Sequence, residues 1–214
     1  QMQTMGEAIG LVMRPLRSIP ESVESLGLPI QASKMLQASS SGMIVVTGPT
    51  GSGKSTTLAA MVNEINVSRR ANILTLEDPV EFQHERRKSI INQRELGVDV
   101  QSYEAGVQDA LRFVPDVILI GEIRDAATMR AALRAAESGH LVLTTTHAPT
   151  TVAAIRKMLA YLDNSVADSQ ALAACLVGII AQALIRDQKK AGENHLAYEV
   201  LNCRDIPVIA AVSA

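Results

Sequence analysis

The stretch Gly48-Pro49-Thr50-Gly51-Ser52-Gly53-Lys54-Ser55 has the spacing G-x-x-x-x-G-K-[ST], and each position has a physical use. Gly51 and Gly53 permit turns closed to residues that carry a Cβ, so that successive backbone N–H groups face one point. A helix beginning at the loop adds the positive end of its dipole beneath that point. Lys54 supplies a cation able to reach the β- and γ-phosphates of a nucleoside triphosphate, and the Ser55 hydroxyl is a ligand type for Mg²⁺. Residues Gly48, Pro49, Thr50, Gly51, Ser52, Gly53, Lys54, Ser55 and Thr56 are the expected nucleotide cradle, with ATP and Mg²⁺ as the expected cofactors.

In open α/β sheets, ligand chemistry gathers at the carboxyl ends of strands. Three more apolar runs here end in polar groups: 72–76 in Glu77-Asp78-Pro79, 116–120 in Gly121-Glu122, and 141–146 in His147. A second phosphate-site motif usually ends its strand in Asp-Glu, but Gly121 stands in the place of that Asp. The missing charge is expected from Glu77 and Asp78, so Ser55, Glu77, Asp78 and Glu122 are the candidate metal ligands. Glu122 is the first candidate to activate water and Glu77 the second, an order that the sequence leaves open. His147 is a candidate γ-phosphate sensor, whereas His140, at the opposite end of its strand, reads as structural.

The elements that must position these groups follow from periodicity. Met43–Thr47 reads as a strand feeding the loop, Lys54–Asn66 as a helix, Asn72–Leu76 as a buried strand and Ile90–Asn92 as a short one. Ser102 can cap a helix to Phe113. Asp116–Ile120 and Leu141–Thr146 are further strands, and Asp125–Ser138 is an Ala-rich helix. Helices are expected near 149–161 and 166–186, and one more strand after Leu196. Short β-branched runs separated by helices of ten or more residues imply an α/β fold with a mostly parallel sheet and helices on both faces. Residues 8–19 read as an edge strand or extended arm interrupted by Pro15, and Pro20–Pro29 as a stretch of little periodicity.

Composition narrows the function classes. The 214 residues are 47% apolar, enough to bury a core and exclude disorder. Twenty basic against 22 acidic residues give a net charge of −2, which disfavours a whole-surface attraction for nucleic acid. Aromatic residues are 2%, with no Trp, so base-stacking platforms are not expected. Cys175 and Cys203 supply neither a disulfide framework nor a four-cysteine zinc site. The longest apolar run, Ala171–Ala181, is eleven residues, short of the roughly 18 needed to span a bilayer. Residues 1–10 carry no signal-peptide pattern, and a start at Gln1 leads us to expect a longer protein whose front is absent.

Four motifs together resemble one family, the secretion-superfamily ATPases of type II and type IV secretion and type IV pili. They are GPTGSGKST (48–56), LEDPVEF (76–82), DVILIGEIRD (116–125) and ESGHLVLTTTHA (137–148), and INQRE (91–95) is similar too. The resemblance runs from Arg14 to about residue 205 and is nearest the pilus-retraction and type IVB secretion branch, because the four-cysteine zinc element of assembly-type members is missing. It implies a RecA-like P-loop core over 39–214, a linker over 26–38, and a remnant of a PAS-like N-terminal domain over 1–25. It further implies a ring, generally a hexamer, with ATP between neighbours. Arg14 and Arg17 would then reach the γ-phosphate, as arginine fingers do. The expected partner is the inner-membrane platform of a pilus or secretion machine, and the expected location is cytoplasmic and peripheral to that membrane. A helical tail with an AIRNLIRE-type motif is not present in these 214 residues.

The expected activity is therefore ATP hydrolysis that drives mechanical work. Two alternatives are a RecA-like nucleic-acid motor and a nucleotide-dependent scaffold without turnover. Against the first, Arg69-Arg70, Glu85-Arg86-Arg87-Lys88 and Arg186–Lys190 are short, partly neutralised runs. Complete motifs argue against the second. Neither an LSGGQ-like segment nor N-K-x-D is present, which disfavours transporter ATPases and GTPases.

Overall fold

The run Gly42–Thr47 is buried at every position, as a strand covered on both faces must be. In the computed structural model, which describes residues 2–5, 8–11, 18–186 and 194–204, this strand is the third of nine. Strands β1 (Met2–Met5) and β2 (Ala8–Leu11) form a two-stranded antiparallel ribbon where a single strand or arm was expected over 8–19. Then follow helix α1 (Ile30–Gln37), β3 (Gly42–Thr47), α2 (Lys54–Ser68), β4 (Asn72–Glu77), β5 (Ile90–Glu95) and α3 (Tyr103–Ala110). The chain continues through β6 (Val117–Ile120), α4 (Ala126–Glu137), β7 (Leu141–Thr146), α5 (Thr151–Tyr161), α6 (Val166–Cys175), β8 (Leu176–Arg186) and β9 (Asn194–Asn202).

Seven strands make one sheet in the order β5-β4-β6-β7-β3-β8-β9. All pair in parallel except β9, which runs antiparallel to β8. Alternate residues of each strand feed two separate cores. Ile44, Val46, Ile73 and Leu143 pack with Leu36 of α1 and Leu58, Met61 and Ile65 of α2. Val45, Leu74, Ile118 and Val142 pack with Val107 of α3, Met129 and Leu133 of α4, Met158 of α5 and Leu172 of α6. The alternation is the two-residue period of a strand, so each face receives its own apolar set. Ser102, Asp125 and Thr150 cap α3, α4 and α5 by accepting from Ala105 N, Thr128 N and Ala153 N. The Nδ1 of His140 lies 3.0 Å from the Ala135 carbonyl, a structural contact at the end of α4, away from the loop 48–53.

Two expectations are corrected. The helix expected over 166–186 stops at Cys175, and Leu176–Arg186 is a strand. An apolar run buried on both faces has no period to distinguish the two. Val177, Ile179 and Ile180 favour the strand, and Gly178 lets it pass against the Met35 sulfur and within 2.6 Å, for a Cβ, of the Leu201 carbonyl oxygen. The stretch 26–38, expected as a linker, carries α1, whose Ala32, Met35 and Leu36 are buried in the core. It is fastened by a buried acid on α2: Glu64 accepts from Val23 N (3.3 Å), Ser33 Oγ (2.9 Å) and Gln37 Nε2 (2.9 Å). Beside it, Asn63 Nδ2 donates to the Pro20 and Glu21 carbonyls at 3.1 and 3.0 Å. Arg14 and Arg17, and the residues after 204, lie outside the described residues.

Removing the Glu64 carboxylate strands buried donors, the costly way to lose a hydrogen bond. Urea unfolding of Glu64→Leu is expected to show about 2 kcal/mol less stability than wild type, and Glu64→Gln a smaller loss.

Candidate nucleotide and active site

The loop after β3 folds back under the end of the sheet by means of three glycines in positive-φ conformations: Gly48 (146°), Gly51 (79°) and Gly53 (88°). At Gly48 the need is also steric, because a Cβ there would strike the Gln182 carbonyl oxygen and lie 2.7 Å from Ser52 Oγ. Gly53 is the N-cap of α2, and α2 has no side-chain cap. The first donors of a 15-residue helix therefore face the loop rather than a capping oxygen.

Lys54 opens that helix with 9% of its surface exposed. Its Nζ donates to the Gly48 and Pro49 carbonyls, both at 3.0 Å, and lies 3.4 Å from His147 Nδ1. An ammonium has three donors and no lone pair, so Nδ1 of His147 is the acceptor and Nε2 carries the proton. That Nε2 is 3.0 Å from Glu122 Oε1. The other Glu122 oxygen accepts from Arg124 Nε at 2.9 Å, and Arg124 Nη1 reaches Asp78 Oδ2 at 3.3 Å. One chain of polar contacts thus links the loop, the end of β7, the end of β6 and the end of β4. Burial pushes the Lys54 ammonium below its ordinary range, opposed by the Glu122 charge and aided by Lys157.

Local bonds hold these ends in place. The Thr47 hydroxyl accepts from Ala148 N at 2.9 Å, which ties the end of β3 to the residue after His147. Thr145 Oγ1 donates to the Gly121 carbonyl at 2.7 Å, and Ile123 N to the Thr145 carbonyl at 2.8 Å, which brackets Glu122. Glu77 accepts from Thr75 Oγ1 (2.7 Å) and from Gln93 Nε2 of β5 (3.0 Å). Burial raises its carboxyl above the usual range, against those two hydrogen bonds.

These groups line one cleft of about 540 Å³. Among the residues singled out by sequence, Thr50, Gly51, Gly53, Lys54, Ser55, Thr56, Glu77, Asp78, Glu122 and His147 all face it. Gly48, Pro49 and Ser52 stand behind, shaping the loop. Among the described residues, no three His, Cys, Asp or Glu side chains converge to cage a metal by themselves. Of the expected metal ligands, Ser55, Glu77, Asp78 and Glu122 all line the cleft, where Glu122 and Asp78 are bound to Arg124, and Glu77 to Thr75 and Gln93.

Four residues of the site escaped the sequence reading as individual contributors: Gln93, Tyr103, Arg124 and Gln182. Arg124 lay inside a quoted motif and Gln93 inside INQRE, but their partners are set by tertiary pairing. Tyr103 explains the odd glycine. A Cβ on Gly121 would lie 2.9 Å from the Tyr103 hydroxyl and 3.3 Å from the Leu76 carbonyl oxygen, so an acid there would have to displace the end of Tyr103 and crowd β4. Burial first, then the charges of Asp78, Glu122 and Glu77 against that of Arg124, push the Tyr103 phenol up to about 12. His84 also lines the cleft; its Nδ1 is buried with no hydrogen-bond partner, and burial lowers its pKa to about 4.

The sequence profile of the type II/IV secretion system protein family matches residues 2–208. The chain belongs to that family. It is 41% identical over 197 residues to the type IV pilus retraction ATPase PilT of Pseudomonas aeruginosa, covering 90% of this chain and 56% of that protein. The crystal structure of the pilus retraction motor PilT with bound ADP superposes with a TM-score of 0.81 at 37% identity, over 96% of this chain and 60% of PilT. The Legionella pneumophila ATPase DotB superposes with a TM-score of 0.85 at 28% identity, over 92% of this chain and 55% of DotB. The chain spans little more than half the length of these relatives. The seven-stranded, mostly parallel sheet is the fold that they share.

Gly121→Asp, which would restore the more usual acid, is expected to cost about 2 kcal/mol by overpacking against Tyr103 and β4, read as a drop in the thermal unfolding midpoint. For His84, the unfolded chain takes up a proton below pH 6.5 that the folded chain refuses until about pH 4. Stability should therefore fall as pH drops through that window, and denaturant titrations of His84→Gln should show a shallower fall.

Proposed function

We propose that this chain is the ATP-hydrolysing core of a ring-shaped motor serving a type IV pilus or a type II/IV secretion machine. The single observation that supports it most is the meeting of Lys54, His147 and Glu122, which brings the ends of three strands to the mouth of the phosphate loop. Family membership and likeness to a motor with bound ADP point the same way.

The donor set suits a polyphosphate. Glycine-shaped backbone, the uncapped start of α2 and the Lys54 ammonium all present positive charge to one cleft. The Ser55 hydroxyl would hold Mg²⁺, an ion bound through few protein oxygens together with water and substrate phosphates. When bound, Mg²⁺ neutralises charge on the phosphates.

In the hydrolysis we propose, Lys54 exchanges its hold on the Gly48 and Pro49 carbonyls for phosphate oxygens. The His147 Nε2–H turns from Glu122 to the terminal phosphate and so reports its presence. Glu122, still oriented by Arg124, then orients a water and accepts its proton as the water oxygen bonds to the γ-phosphorus. The bond to the bridging oxygen breaks, leaving ADP and phosphate. Glu77 is the second choice, since its carboxyl is raised by burial but already committed to Thr75 and Gln93. Arg14 and Arg17 would complete the site of a neighbouring subunit in a ring, a role that rests on the family resemblance. The output would be work on an inner-membrane platform, with the chain cytoplasmic and peripheral. No helix among the described residues is long and apolar enough to cross a membrane.

Purified variants test this reading. Lys54→Ala should lose both ATP binding and turnover, whereas Glu122→Gln should keep ATP affinity within about twofold and lose at least ~10²-fold in kcat. Wild-type turnover in Glu122→Gln would remove that residue and pass the water to Glu77.

A further inference from the structure

The loop 48–53 is buttressed from the side of the sheet opposite to the carboxylates. Strand β8 pairs with β3 in parallel, and the register Thr47↔Ala181 places Gln182 one residue beyond the last pair, beside the loop. Gln182 is 4% exposed, and both ends of its amide are used. Nε2 donates to the Ser52 carbonyl at 2.6 Å, and Oε1 accepts from Thr57 Oγ1 at 2.8 Å. Its own main-chain oxygen fills the space that a side chain at Gly48 would need, and a Cβ on Gly53 would lie 3.3 Å from Nε2. One residue therefore touches the start of the loop, its middle and the first turn of α2.

We infer that Gln182 is the positioning residue that holds the phosphate loop in its binding conformation, so that strand β8 sets nucleotide affinity. This rests on the reading of 48–56 as the nucleotide cradle. The chemistry calls for an amide. The Ser52 carbonyl only accepts, and the Thr57 hydroxyl donates to Oε1, so the one amide supplies a donor and an acceptor at once. Glutamate would turn a second acceptor on the Ser52 carbonyl, and leucine would offer neither. Ser52 and Thr57 are 2% and 1% exposed, so water is poorly placed to substitute. Gln182 is itself held in the sheet by β9, where it pairs with Tyr198. The element free to move when the amide is lost is the loop, and affinity then falls with the fraction of molecules that keep it closed.

The test is titration of the full chain with a fluorescent ADP analogue in the presence of Mg²⁺, alongside steady-state ATP turnover and thermal unfolding without nucleotide. Gln182→Leu should weaken ADP binding at least tenfold and raise KM in step, with a much smaller change in kcat, because Lys54, His147 and Glu122 are untouched. Thr57→Val, which removes one of the two contacts, should give a smaller loss, and the double variant should bind no more weakly than Gln182→Leu alone. Gln182→Glu, nearly the same shape, replaces Gln182→Leu if the latter does not fold, with the same expected loss. A folded Gln182→Leu or Gln182→Glu with wild-type ADP affinity overturns the inference, as does a loss confined to kcat. A wild-type chain with no measurable affinity for the analogue overturns the nucleotide reading itself, and the role of Gln182 with it.

Discussion

Lys54 is nine-tenths buried as a residue, its ammonium at the cleft needs acceptors, and most of this site is arranged around that requirement. Lys54 has three donors, and the structure meets them with two loop carbonyls and the Nδ1 of His147. The carbonyls are available because Gly48 turns the chain back in a conformation that no other residue tolerates. His147 is available because β7 ends beside β3, and its ring is turned the right way because its far nitrogen is held by Glu122. Burial without those partners would drive the amine toward its neutral form. The Glu122 carboxylate, one imidazole away, opposes that drift. Phosphate oxygens would replace the two carbonyls as acceptors with little change in the geometry of the amine, so a ligand of that chemistry meets a cation already desolvated and aimed.

The sheet order divides labour between the two sides of the loop. Strands β7, β6 and β4 lie on one side of β3 and bring His147, Glu122 and Glu77 to the cleft. Strand β8 lies on the other side and brings Gln182 to the back of the loop. Groups that would act on a terminal phosphate thus come from one side, and the group that fixes loop shape from the other. The Ser52 carbonyl and the Thr57 hydroxyl, both facing away from the cleft, are bridged by Gln182 without contact between Gln182 and the polar chain from Lys54 to Asp78.

Much of this was legible in the residues themselves. The loop glycines, Lys54 and Ser55 identify themselves by spacing, and the strands before them by β-branched content. Leu141–Thr146 and the cap Ser102 could be placed to the residue. What remained illegible shares one physical cause, since each case depends on a partner distant in sequence. The strand nature of Leu176–Arg186 depends on its pairing with β3 and on the passage of Met35 at Gly178. Gln182 looks like the polar end of an apolar run until Ser52, 130 residues earlier, is laid beside it. Gly121 reads as a missing acid until Tyr103 is seen to fill the space. The short helix α1 was hidden because its eight residues carry Ser33 on the packed side, a polar position that makes sense only opposite Glu64.

That last contact bears on how chemistry at the loop can be felt elsewhere. Helix α2 has its first turn at the loop, and Asn63 and Glu64 lie near its other end, fastened to residues 20–37 by five hydrogen bonds. A helix of 15 residues is about 22 Å long and stiff on that scale. A tilt of α2 at the loop would therefore be carried to residues 20–37 through these bonds. A carboxylate with three donors opposes the separation of α1 from α2, because Val23 N and Ser33 Oγ are buried and would lose their acceptor where water is poorly placed to replace it.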